Sequence, residues 1–319
     1  MIESQDGRQH YLFAILLFIA GLLIILIFLT VRSQADDTTS SATVGNAAPT
    51  VSSVVINEDG GAGDDDSITP TAGSTKTVYI KGTVTDTNGC QTIENASVGI
   101  GMRFHDEDEN GETCDTDNEN CYYANNGTYG GCSIDESSCT DSQDTNLTFT
   151  CQIAAQFYVN ADDWVASIWA YDGTVSSSVF STQTTTIETC NALSVGTESS
   201  GILDFGTISP GSSSGTVTST ITNKCNTTIN AKYSGTLMSC SSGYIATSSL
   251  HYVLSDPGFS YASGKALTET ASTIAHNLAK RTESAASTDD AYWKINGDTG
   301  AGGTCSGTIT KTSCVPGAC

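Results

Sequence analysis

The chain has 319 residues and a formal net charge of −23, from 35 acidic and 12 basic residues. A surface this anionic repels phosphate backbones and anionic headgroups, which argues against nucleic acid as a partner, while it attracts divalent cations. Gly, Ser, Thr and Asn dominate, Pro numbers only 5, and leucine runs stop after residue 31, so the composition predicts an all-β body of short strands joined by turns.

Residues 1–10, MIESQDGRQH, read as a short cytoplasmic N-terminus. Residues 11–31, YLFAILLFIAGLLIILIFLTV, carry no charge and are long enough to cross a bilayer, so a transmembrane helix is expected over 11–32. A secretory signal has a shorter apolar core and a more basic start, although Ser33-Gln34-Ala35 has the small-x-small form of a cleavage site. Arg8 and Arg32 tie the positive-inside count; the size of the remaining chain and its cysteines place that body outside. The expectation is a single-pass protein of the cell membrane, held through residues 11–31, with an extracellular C-terminal body. Alternatively, the segment packs against copies of itself in the core of a pilus-like filament. The usual prepilin start, a basic-Gly site followed by an aromatic residue and a helical Glu, is absent.

Residues 33–48 have no hydrophobic period and no basic residue after Arg32, and read as a flexible stalk. From Pro49 a period-two pattern begins. VSSVVI (51–56), TVYIKGTV (77–84), SVGIGMRF (97–104), LTFTCQIAAQFYV (147–159), WVASIWAYDG (164–173) and SSVFSTQTTTIE (177–188) each alternate apolar and polar positions. Such strands are buried on one face, and their number suits one immunoglobulin-like sandwich over 49–190. The APTVSSVVI opening, the GTVTDTNGC strand and turn, and WVASIWAYDG resemble bacterial and archaeal immunoglobulin-like surface modules. The resemblance covers residues 47–190 apart from an insertion at 105–146, and implies a surface role without naming a ligand.

That insertion opens on HDEDENGETCDTDNENC (105–121), with eight acidic residues in seventeen positions. Asp106, Asp108, Asn110 and Gly111 match positions 1, 3, 5 and 6 of a calcium loop, Glu112 follows, and Asp117 stands at position 12 where Glu is usual. These five oxygen-bearing residues are the candidate calcium ligands; no other cofactor is expected. The helices that flank an EF-hand loop are missing, and long acidic loops are commonly just solvated, so both readings stand. The second acidic run, NEDGGAGDDD (57–66), lacks the spacing and reads as a solvated loop.

The second half changes signature. GILDFGTISPGSSSGTVTSTITNKCNTTINAKYSG (201–235) resembles the first strands of envelope β-sandwich domains, and AYWKINGDTGAGGTCSGTITKTSC (291–314) resembles their closing strands. Cys225 stands where those domains often carry Gly, with Cys240 its expected partner, and Cys305 stands where they often carry an aromatic residue. A break near Cys190–Ser194 gives a second sandwich over 191–319. KALTETASTIAHNLAKR (265–281) would place Leu267, Ala271, Ile274 and Leu278 on one helical stripe, but its Ser/Thr-rich surroundings favour strands.

The twelve cysteines, Cys90, Cys114, Cys121, Cys132, Cys139, Cys151, Cys190, Cys225, Cys240, Cys305, Cys314 and Cys319, lack the C-x-x-C spacing of zinc sites and read as disulfides. Asn95, Asn126, Asn146 and Asn226 head N-x-S/T triplets and are glycosylation candidates. Trp164, Trp169 and Trp293 could stack on sugars, but core packing is the stronger reading, with Trp169 on the face opposite Trp164. No G-x-S-x-G, H-E-x-x-H or S-x-x-K is present, and His251 reads as structural. The sequence thus predicts a non-catalytic structural or adhesive surface protein. Its partners would be other surface proteins or glycans, with self-association in the filament alternative.

Overall fold

The computed structural model describes residues 6–30, 45–94, 98–108, 119–127, 131–182, 184–197 and 201–319. The chain divides into two units, Met1–Gly45 and Asn46–Cys319.

The first unit holds helix α1 (Asp6–Thr30). Its described large apolar side chains are exposed, from 51% at Ile15 to 77% at Tyr11. The expected membrane anchor over 11–32 is not supported, and the single-pass localisation falls with it. Among the described residues no helix is long and apolar enough to cross a membrane. Most of the expected stalk, residues 33–44, lies outside the described residues.

Strands are the main regular structure of the second unit, which also holds a short helix, Gln91–Glu94. Its first half carries β1 (Thr50–Asn57), β2 (Ser67–Ile68), β3 (Thr75–Thr85), β4 (Ile100–Asp106), β5 (Cys121–Asn125), β6 (Cys132–Asp135), β7 (Asn146–Gln156), β8 (Asp163–Ala170), β9 (Phe180–Ser181) and β10 (Thr185–Ile187). One sheet runs β1-β3-β7-β6; the other runs β2-β10-β8-β4-β5, with β9 added to β8. The alternation read from the sequence sets which side chains meet. Val78, Ile80, Phe149 and Ile153 from the first sheet share one buried core with Met102, Phe104, Trp164 and Ile168 from the second. Gly82 lies on this inner face because Phe149 crosses it: a Cβ there would stand 2.8 Å from Phe149 Cζ. The run 177–188, expected as one strand, is broken between β9 and β10. Ser177 Oγ takes the Ala170 N–H (2.9 Å) and Thr182 Oγ1 takes the Ala166 N–H (2.9 Å), so side-chain acceptors replace ladder bonds.

The second half carries β11 (Leu193–Thr197), β12 (Val217–Asn223), β13 (Ile229–Gly235), β14 (Met238–Ser242), β15 (Tyr244–Ile245), β16 (Leu250–Val253), β17 (Lys265–Ala266), β18 (Ser272–Leu278), β19 (Thr288–Ile295), β20 (Gly302–Ser306) and β21 (Ile309–Cys314). Its sheets run β11-β12-β19-β16-β17, β18-β13-β21 and β15-β14-β20. Their inner faces enclose a second core around Tyr233, Tyr252, Trp293 and Ile295. The ambiguous 265–281 segment forms β17 and β18. Leu267, Ile274 and Leu278 are buried while Ala271 is exposed, so the helical stripe is not used.

The two cores meet at a seam around Cys190. Asn226 is buried there. Its Oδ1 accepts from Cys190 N (2.7 Å), and its Nδ2 donates to Glu188 O (3.0 Å). Thr227 Oγ1 donates to Cys190 O (2.8 Å), and Gly73 N donates to Lys224 O (2.8 Å).

Disulfides join Cys90–Cys139, Cys132–Cys151, Cys190–Cys225, Cys240–Cys305 and Cys314–Cys319. Cys121 is disulfide-bonded as well, and Cys114 lies outside the described residues. Cys225 therefore does not pair with Cys240. Antiparallel pairing of Leu193 with Asn223 brings the chain before β11 against the turn after β12, which sets Cys190 opposite Cys225. Cys240 faces Cys305 directly across β14 and β20, with their Cα atoms 3.9 Å apart.

Candidate metal centre and its surroundings

The acidic insertion leaves the sheet at the last residue of β4. Asp106 lies opposite Trp164 on β8, is buried, and donates its N–H to Asn120 O (2.9 Å). Its Oδ1 accepts from Asp108 N (3.2 Å), a local turn that folds Asp108 back beside it. Glu107 N donates to Asp163 O (2.8 Å), which draws the start of β8 alongside. One carboxylate oxygen from each of Asp106, Asp108 and Asp162 then lies within 4.8 Å of the others. Three carboxylates this close repel one another, and hard oxygen donors of this kind suit a calcium-like cation.

Of the five ligands expected from the sequence, the structure brings together Asp106 and Asp108. Asn110, Glu112 and Asp117 lie outside the described residues. Asp162 was not foreseen, because a calcium-loop template looks only along one continuous segment. The Asp-Asp pair before Trp164 becomes relevant only once β4 and β8 are known to be neighbours. A strand, β4, leads into the site where an EF-hand loop would have its first helix.

A cation of the chain's own stands nearby. Asn160 Nδ2 donates to Asp106 Oδ2 (3.4 Å) and to Asn120 Oδ1. Lys280, from the second half, donates to Asn160 Oδ1 and to Tyr158 O (3.3 Å), and its Nζ lies 3.7 Å from a Glu119 carboxylate oxygen. Glu119 also accepts from Glu283 N (2.8 Å). Asn160 thus relays between the acidic trio and Lys280, and the metal candidate borders the seam.

The other sequence candidates fall in distinct settings. Asn226 cannot accept a glycan in the fold, since its amide is buried and hydrogen-bonded at the seam. Asn126 Oδ1 accepts from Ile100 N (2.9 Å), Asn146 stands exposed at the start of β7, and Asn95 lies outside the described residues. Trp164 and Trp293 are fully buried in the two cores. Trp169 lies on the outer face of its sheet, across Gly101 and stacked 6.0 Å from Tyr123, with the Arg103 guanidinium 5.0 Å from its ring. The three histidines of the second unit are each engaged locally: His105 lies between Asp106 O (2.8 Å) and Ser167 Oγ (2.9 Å). His251 contacts Tyr261 O (2.8 Å), and His276 lies between Tyr233 Oη (2.7 Å) and Asp289 Oδ2 (2.7 Å).

No family model matches the chain, and no curated protein matches it. Among solved structures, a marsupial T cell receptor is 9% identical at a TM-score of 0.25, covering 87% of this chain and 100% of its own. A structure of the chaperone–tip adhesin complex of CFA/I fimbriae is 11% identical at 0.28, covering 84% and 91%. The C-terminal domain of the Streptococcus pyogenes antigen I/II-family protein AspA is 12% identical at 0.22, covering 84% and 99%. At TM-scores this low the three carry no argument about this chain.

Replacing Asp162 with Asn separates charge repulsion from cation binding. In chelator Asp162→Asn melts above the wild type, by an amount equivalent to about 0.5 kcal/mol. Millimolar calcium raises the wild-type melting temperature and leaves the variant unmoved. A wild type that calcium does not shift would reduce the trio to a solvated acidic surface.

Proposed function

We propose that this chain is a non-catalytic structural or adhesive protein of an oxidising compartment, acting through protein or glycan contacts on two immunoglobulin-like β-sandwiches. The disulfides carry this reading: no described cysteine is free, and the pairs staple strands in both halves. Such density of cross-links belongs outside the reducing cytosol. The local engagement of the three histidines supports a structural role, as does the use of large aromatics as core. Calcium at the acidic trio would brace the base of the insertion and make it a firmer contact surface. The test is alkylation of the protein isolated from its native source, denatured without reductant. Intact mass unchanged by the alkylating agent is expected; several alkylated thiols would contradict the reading.

A second reading rests on α1. Its exposed residues, including Tyr11, Leu12, Phe13, Leu17 and Phe18, occupy all sides of the helix. A helix apolar all round needs cover all round. Copies of the same helix, packed in a filament core, would supply it. Sedimentation of the full chain against a variant lacking residues 1–45 is the test. Large assemblies formed by the full chain alone are expected, and equal, small sedimentation coefficients would contradict the filament.

A further inference from the structure

A cavity of about 450 Å³ opens in the second half between β11, at one end of the five-stranded sheet, and β21, at the edge of the β18-β13-β21 sheet. Val195, Phe205, Met238, Leu250 and Ile309 supply apolar wall, and Lys311 is the one charged residue among those lining it. The volume falls within the range of small-ligand pockets, which pair apolar walls with a few placed polar groups.

Lys311 is an unusual wall residue. Its Nζ donates to Ser219 Oγ and lies 5.1 Å from the Trp293 ring centroid and 5.4 Å from that of Tyr233. Ser219 is fully buried, and its Oγ also accepts from Trp293 Nε1 (2.9 Å). Among the described residues no carboxylate lies within ion-pairing distance of this ammonium. The ammonium thus has one hydroxyl and two ring faces as partners but no counter-ion, and a largely desolvated charge without one is costly. Burial holds its pKa down to about 8, which reports the same desolvation.

We propose that this cavity binds an amphiphilic carboxylate, its apolar chain lying against Val195, Phe205, Met238 and Ile309 and its carboxylate drawn to the Lys311 ammonium. One ammonium matches one negative charge. The net charge of −23 disfavours ligands carrying several. The apolar wall requires a hydrocarbon portion, which sets aside simple inorganic anions.

The test is calorimetric titration of the full chain with decanoate below its micelle threshold, with decanol as the uncharged control. Wild type should bind decanoate at least about tenfold more tightly than decanol, the equivalent of one charge-assisted hydrogen bond. Lys311→Met, which removes a partly buried charge and keeps the side-chain length, should melt no lower than wild type and lose that preference. Val195→Trp fills the cavity from its rim, leaves Lys311 in place, and should abolish decanoate binding. Wild type that binds neither compound, or both alike, overturns the proposal, as does a Lys311→Met variant that still prefers decanoate. In those cases Lys311 serves only as an inward charge that keeps edge strand β21 from pairing with another chain.

Discussion

Two separate hydrophobic cores become one compact unit because a single asparagine is buried between them. Asn226 uses its carbonyl on Cys190 N and its amide on Glu188 O, so it fixes the backbone on both sides of the passage from the first half to the second. An amide buried at this point has no water to turn to, and its hydrogen bonds must be made by the chain itself. The Cys190–Cys225 disulfide closes the same corner covalently. Further out, Gly73 bonds to Lys224 and Lys280 reaches Asn160 and Tyr158, widening the contact. The other four disulfides between described cysteines stay within their own halves, and the rest of the join includes hydrogen bonds and the Lys280–Glu119 ion pair.

This seam also places the candidate metal centre. Asp106 and Asp108 come from the end of β4 and Asp162 from the turn into β8, and the two strands are neighbours in one sheet. Their shared negative charge is partly answered by Lys280 through Asn160, a residue of the second half answering carboxylates of the first. Cation binding at the trio and stability of the join are therefore expected to be coupled electrostatically.

The strands were legible because alternation is a direct image of one-sided burial. Val78, Ile80 and Val84 fall on the inner face of β3 as their spacing requires, and Trp164, Ala166 and Ile168 do so on β8. What escaped reading depended on contacts between distant segments. Asp162 joins Asp106 only through the β4–β8 pairing. Cys225 meets Cys190 only through the β11–β12 register, so the nearer Cys240 was a misleading choice. Asn226 carries the N-x-T signature of a surface acceptor, yet tertiary burial converts it into a structural amide. The apolar N-terminal run was read from its length and lack of charge as a bilayer span, which the described helix does not support. The Lys311 cavity had no sequence signal at all, since a lysine in an alternating Thr-rich strand reads as solvent-facing.

Differential scanning calorimetry of the disulfide-intact chain tests the central claim, that the seam couples both cores into one cooperative unit. A single transition for Asn46–Cys319, with calorimetric and van't Hoff enthalpies equal, is the predicted result. Two resolved transitions, assignable by hydrogen exchange to residues 46–190 and 191–319, would contradict it.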